Sequence, residues 1–510
     1  MRKYFQLFFS CFFFVSTGVL AQHTISTPQW RPVYHFTPAK NWTNDPNGLI
    51  YLNGIYHLYN QQNPFENKWG HMSWGHATTT DMVHWKHLPV AIPEKIGKDT
   101  IWIFSGCSVL DKNNSSGFCK NGSCIVAVYT ADQPNLKKES QFIAYSNDGG
   151  MSFTDYENNP VIDLHKKDFR DPNVLWNEQL HKWLMVVASP RERKVLFYTS
   201  DNLKKWDSLS EFGPAGFANG IWECPSFFQL PVQGTNRKKW VLMTSFGGGH
   251  KPMMQYFVGD FDGKNFVNDN PADKAMLVDN GDCFYAAISW NNVPGDKKIL
   301  IGWMVPGEHN TYPWRGQMSI PRDLGLIQTK EGLRLIQQPA SLIKNSLPKL
   351  SGNDIFSLDN QKVTGKEIVI GQKNTRNAYW LETEIEFHDG AIAGFNIAGK
   401  KDAEGNIVSA TSIAYDEMKH ELYIDKTNSG DDKIKKENLL QSVILPGGTK
   451  KIKLEILMDK SSLEIFVNNG EQVLTTYIFP ETGADGLSFF AKKGTAEIRN
   501  LKLWNLSNLK

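Results

Sequence analysis

Between Asp45 and Ala287, a polar or turn residue leading into an apolar, strand-forming run returns again and again. It appears as Asp45-Pro-Asn-Gly-Leu-Ile-Tyr, Ser105-Gly-Cys-Ser-Val-Leu, Asp171-Pro-Asn-Val-Leu-Trp, Glu223-Cys-Pro-Ser-Phe-Phe and Asp282-Cys-Phe-Tyr-Ala-Ala. The steps are 60, 66, 52 and 59 residues. A second signature keeps the same pace, Ser, Thr or Gly and an Asp-bearing turn ahead of an aromatic: Thr80-Asp81 to Trp85, Ser146-Asn-Asp148 to Phe153, Ser200-Asp201 to Trp206 and Gly259-Asp260 to Phe266. A unit of this length holds one four-stranded sheet, and five in succession are what a five-bladed β-propeller requires. A β-sandwich also alternates strands but supplies no reason for a fixed long period. The runs are short and broken by turns such as Asn53-Gly54, with hardly any helical periodicity, so the expected class is all-β.

In such a ring, equivalent positions share one radius. Asp45, Asp171 and Glu223, from units one, three and four, are therefore expected at one mouth of the central channel. Clustered carboxyl groups repel and shift one another's pKa values, an arrangement worth tolerating where a proton donor and an anion are both needed. Turn chemistry explains any single Asp-Pro equally well, but not three acids in phase.

Past Leu335-Ile-Gln-Gln-Pro339 the period stops. The propeller is placed at residues 27–340, a linker at 341–353, and from 354 to 510 alternating strands such as Trp380–Phe387, Lys451–Ile456 and Leu463–Val467 read as a β-sandwich. At the other end, Met1-Arg2-Lys3, the apolar run Phe5 to Leu20 and the small-residue exit at Ala21 read as a signal peptide over residues 1–21. A membrane anchor is the second reading of that run, and lipidation at Cys11 the third. The first reading makes the mature chain secreted or periplasmic, with no membrane attachment.

The formal charge is +2, supplied by Arg2 and Lys3, so the processed chain is neutral and lacks the basic field that nucleic-acid binding requires. Five cysteines remain after processing, an odd number, so at least one is unpaired. Cys119 and Cys124 flank an Asn121-Gly122 turn signal, which leaves a local disulfide and two free thiols equally open. Oligomeric state is not legible. His71, His76, His84 and His87 carry no carboxylate at a ligand spacing, so no metal site is read from them.

Four ordered motifs then match a known pattern: Trp42-Thr-Asn-Asp-Pro-Asn-Gly48, Phe104-Ser-Gly106, Phe169-Arg-Asp-Pro172 and Glu223-Cys-Pro225. With Trp314-Arg-Gly-Gln-Met-Ser-Ile-Pro-Arg322 and the trailing strands, they resemble glycoside hydrolase family 32, the β-fructofuranosidases that include invertases, inulinases and levanases. The resemblance implies a propeller followed by a sandwich, no metal or other cofactor, and retaining hydrolysis of terminal fructosyl units from levan, inulin or sucrose. It makes Asp45 the nucleophile, Glu223 the general acid and then base, and Asp171 a fixed carboxylate on the ring hydroxyls. Asn44, Gln61, Trp69, Phe104, Ser105, Arg170 and Trp303 are implied as substrate-binding residues. Asp282 is implied as an acidic pocket residue, with Asp279 an open alternative. Physically, Asp171 beside Arg170 should stay ionised, and Glu223, leading into an apolar strand, should have its pKa raised. An endo-acting enzyme, a fructosyltransferase and a catalytically silent fructan-binding propeller remain as other readings.

Overall fold

The computed structural model describes residues 29–247, 253–309, 311–352, 355–371 and 375–509. The signal segment read at residues 1–21 lies outside the described residues. Five antiparallel sheets follow one another along the chain. The first comprises Asn41–Leu52, Ile55–Asn63, Ser73–Thr79 and Lys86–Ile92, and the second Trp102–Asp111, Cys124–Gln133 and Lys138–Ser146 with two short outer strands. The third runs Arg170–Asn177, Lys182–Ser189, Lys194–Ser200 and Asp207–Phe212; the fourth Ile221–Pro231, Lys238–Gly247, Met253–Phe261 and Phe266–Asn268. The fifth comprises Phe284–Ser289, Ile299–Met304, Arg322–Thr329 and Gly332–Pro339.

The ring closes where Trp314–Arg315 pairs in parallel with Asn41 and Trp42, and where the amide of Asn291 donates to the Leu49 carbonyl at 3.0 Å. Each junction between neighbouring blades is filled by one apolar cluster. Between the second and third, for instance, Val126, Val128, Phe169, Val174, Trp183 and Val187 are all buried. Individual sheets of this kind are polar at neither face, so blade stacking is what hides their hydrophobic area.

The long period has a local cause. At the exit from the third strand of the first four blades, an Asx side chain accepts two successive backbone N–H groups: Asp81 from Val83 and His84, Asp148 from Met151 and Ser152, Asn202 from Lys204 and Lys205, Asp262 from Lys264 and Asn265. This Asx turn reverses the chain into the outer strand. In the third and fourth blades the residue that does this is Asn202 and Asp262, not the Asp201 and Asp260 of the sequence signature.

The segment expected as a linker, 341–353, contains a helix over Ser341–Leu350. Ile343 and Leu347, one turn apart, are buried in a cluster with Trp380, Leu457 and Trp504, so the helix joins the propeller to the C-terminal sheets rather than merely spacing them. Beyond it, two long strands, Ala378–Lys401 and Gly486–Asn505, pair with each other along their length and serve both layers of a β-sandwich. The first half of Ala378–Lys401 pairs with Lys451–Asp459 and the second half with Ile407–Asp416. The break lies at Asp389 and Gly390, both at positive φ, where a strand can pass from one layer to the other.

Cys119 and Cys124 form a disulfide, with Cα atoms 5.0 Å apart. Cys107, Cys224 and Cys283 are free and buried.

Candidate active site

All five inner strands break register at the same height. The shifts fall between Thr43 and Pro46, Ile103 and Gly106, Arg170 and Asn173, Glu223 and Ser226, and Tyr285 and Ile288. A bulge re-aims side chains that a regular strand would alternate. Asp171, Cys224 and Ala286 adopt φ values of 66°, 48° and 53° inside theirs. Pro172 and Pro225 fill the second bulged position, where no ladder N–H is called for. Glu223 is the last paired residue before its break, Asp171 the first residue within its own, and Asp45 the second. The acids are thus offset by single residues, yet all reach one cavity of about 660 Å³.

Asp45 is held by three donors. Ser105 Oγ donates to Oδ2 at 2.5 Å, Asn44 Nδ2 to Oδ1 at 3.1 Å, and the Cys224 thiol to Oδ2 at 3.5 Å. The same thiol is 3.5 Å from Asp171 Oδ2, so the two aspartate oxygens are no more than twice that distance apart. The Cys224 amide donates to Asp171 Oδ2 at 2.9 Å, leaving Oδ1 to the cavity. Glu223 accepts from Arg170 Nε on Oε1 at 3.0 Å and from the Tyr285 hydroxyl on Oε2 at 2.7 Å. Its surroundings are therefore polar and cationic rather than the apolar ones its sequence suggested.

Arg170 departs from expectation in the same way. Its guanidinium turns from Asp171 to Glu223, Glu139 and Asp168. Burial raises the pKa of Asp171 above the usual carboxylate range; Arg170 opposes this, while Glu223 and Asp45 add to it. The expectation that its neighbour would simply keep Asp171 ionised is corrected: burial and two more carboxyls outweigh one guanidinium. Burial also raises Asp45, against its bond from Ser105. Glu139 is lifted to about 7 by burial, with Arg170 pulling it down. Asp132 rises to about 6 from the same cause.

The remaining expected residues converge on the cavity wall: Asn44, Gln61, Trp69, Phe104, Ser105, Arg170 and Trp303 all line it. Trp69 is 51% exposed and packs edge-on against Trp102 and Phe104, so it is a wall and not core. Asp282 is the exception. Its carboxylate accepts from Lys426 Nζ at 2.9 Å and Gln441 Nε2 at 3.1 Å, both in the C-terminal domain. Asp279 instead pairs with Arg322 and Thr475. Neither aspartate is in the wall, because both precede the fifth inner strand on a segment bonded to the strand Gln472–Tyr477. The residue in step with Glu223 there is Tyr285. It was passed over within the motif Asp282-Cys-Phe-Tyr285, three positions beyond the acid chosen. Glu139, Asp132, Asp168 and Trp102 were missed as well; the two acids of blade two come from strands that carry no motif.

The four histidines do not converge: His71 meets Glu94, His84 meets Asp81, His76 stacks on His57, and His87 lies by Phe36. Among the described residues two clusters have metal-like spacing. In one, Asp111 faces the disulfide; in the other, the Glu386 and Glu497 carboxylates beside His388 are already bridged by Arg499. Neither is in the cavity.

Comparison with known proteins settles the family. Residues 35–339 match the glycosyl hydrolases family 32 N-terminal domain and 351–505 its C-terminal domain. The chain belongs to glycosyl hydrolase family 32. This family 32 chain is 40% identical to the levanase of Bacillus subtilis (strain 168) over 499 residues, 94% of its own length and 71% of the levanase. It is 37% identical to the extracellular exo-inulinase of Aspergillus awamori over 527 residues, covering 95% of this chain and 96% of the inulinase. A structure of a fructofuranosidase variant from Schwanniomyces occidentalis, complexed with fructosylnystose, superposes with a TM-score of 0.85 at 30% identity, covering 94% and 98% of the two chains.

Proposed function

We propose that this chain is a secreted, exo-acting β-fructofuranosidase that removes terminal fructosyl units from levan, inulin or sucrose with retention of configuration. The observation that carries the reading is the meeting of three carboxyl groups from three blades in one cavity walled by tryptophan. Asp45, with each oxygen already fixed by a donor, is placed to attack an anomeric carbon without reorganising. Glu223, positioned by Arg170 and Tyr285, protonates the leaving oxygen and then deprotonates the attacking water. Asp171, with Oδ2 tied to the Cys224 amide, keeps Oδ1 for ring hydroxyls.

Action at a chain end is supported by the exo-inulinase relative. Secretion is supported by the extracellular exo-inulinase relative and by the Cys119–Cys124 disulfide, since such bonds persist in oxidising compartments. The test is to incubate the purified enzyme with levan, inulin and sucrose separately and resolve the products by chain length. Free fructose alone is the expected result. Short oligomers would make it an endo enzyme, longer chains a transferase, and no product from any of them would overturn the reading.

A further inference from the structure

At the opposite end of the inner strands lies a second cavity, of about 360 Å³. Asp171 and Trp176 belong to one strand five residues apart, which separates the two sites by roughly 16 Å along the propeller axis. The wall of this cavity includes Asp111, Lys112, Trp176, Glu178, Trp183 and Lys298. Trp176 is 36% exposed and is held edge-on by its cross-strand partner Trp183, with ring centroids 5.3 Å apart. Trp183 is fixed in turn by the bond from its Nε1 to Ser115 Oγ at 2.9 Å. A rigid indole face is therefore offered to solvent beside a pocket, an arrangement that suits the flat apolar side of a sugar ring.

The polar groups fit a neutral ligand. Two acids face two lysines, so no net charge selects an ion. The Asp111 carboxylate is already occupied by Ser115 and Ser116. Lys112, Glu178 and Lys298 make no side-chain hydrogen bond or ion pair among the described residues, and so keep their donors and acceptors for hydroxyl groups. The volume falls within the range of sites that hold one small ligand.

We infer that this cavity is a second, non-catalytic binding site for fructosyl segments of the polymer whose end enters the catalytic cavity; it rests on the function proposed above. Holding the polymer at a second point raises the local concentration of chain ends. It should lower KM on long substrates and leave short ones unaffected.

Affinity electrophoresis through gels containing levan or inulin tests it, using Asp45→Asn protein so that the polymer survives. Trp176→Ala in that background is expected to weaken retardation several-fold in at least one of the gels, while Trp176→Phe keeps most of it. In otherwise wild-type enzyme, Trp176→Ala should raise KM on that polymer several-fold and leave the rate on sucrose unchanged, which also shows the variant is folded. Equal retardation of the Asp45→Asn protein with and without Trp176→Ala, in an enzyme that does hydrolyse fructan, overturns this inference alone. Absence of any fructan turnover overturns the catalytic reading instead, and differential retardation would then still mark the second site.

Discussion

At the scale of single residues, the chain of contacts Glu139 to Arg170 to Glu223 links the proposed acid/base to a group that titrates in the working range. Burial lifts Glu139 to about 7, so it is neutral below that value and negatively charged above it. Glu139→Gln mimics the neutral form at every pH. The ratio of wild-type to variant kcat/KM should therefore approach one below about pH 6 and depart from it, several-fold, above about pH 7. A ratio constant across that range, measured on sucrose or a short fructan, would remove Glu139 as a positioning residue. Asp45, Asp171 and Glu223 were legible because each sits in a short motif at one phase of the repeat. Glu139 and Asp132 were not, because nothing local in Lys138–Ser146 or Cys124–Gln133 separates a buried functional acid from an ordinary strand residue. Asp282 was misread because an acid before a strand can face either the channel or a neighbouring domain, and only Lys426 decides which.

At the scale of the element, the bulge is what turns five ordinary hairpins into a site. Gly106 ends the bulge of the second blade beside Ser105, the donor to Asp45, and a Cβ there would lie 2.0 Å from the Val128 carbonyl oxygen. Gly106→Ala should cost about 2–4 kcal/mol of stability and lower kcat well beyond what the loss of folded protein explains, because it displaces Ser105. Urea unfolding together with kcat corrected for active-enzyme concentration checks both parts; unchanged turnover per folded molecule would dissociate bulge geometry from catalysis. The propeller itself was readable from the period. Its recurring turns were found but misassigned by one or two residues in two blades, since Ser200-Asp201-Asn202 and Asp260-Phe-Asp262 each offer two acceptors and only the backbone chooses. The helix Ser341–Leu350 escaped notice because its Pro348 and short apolar stripe read as a polar connection.

At the scale of the whole molecule, the N-terminal segment and the fifth blade are fastened to the C-terminal domain by a buried ionic network. His35 bonds Asp459 at 2.8 Å and Glu464 at 2.9 Å, and Arg322 bridges Glu464 to Asp279. Burial works against a charged His35, but the bonds to Asp459 and Glu464 prevail and lift it to about 9. Its folded value lies above the ordinary 6.5, so its stabilisation is complete below that pH and is lost as pH rises through about 9. The difference in unfolding midpoint between wild type and His35→Gln should therefore be largest near pH 6, reflecting about 3 kcal/mol, and shrink toward pH 9.5. A gap that widens with pH would contradict the assignment. No motif announces this network, whose members come from residues 35, 279, 322, 459 and 464 and meet only in the folded chain.

The proposed retaining hydrolysis requires Asp45 to make a covalent bond to a fructosyl unit. Glu223→Gln enzyme given β-D-fructofuranosyl fluoride, whose leaving group needs no acid, should release fluoride in a burst and then stall without its base. Digestion and mass spectrometry should then find one added fructosyl residue on the peptide containing Asp45, and on no other. Fluoride release with an unmodified Asp45 peptide, or an adduct at another residue, would contradict the account.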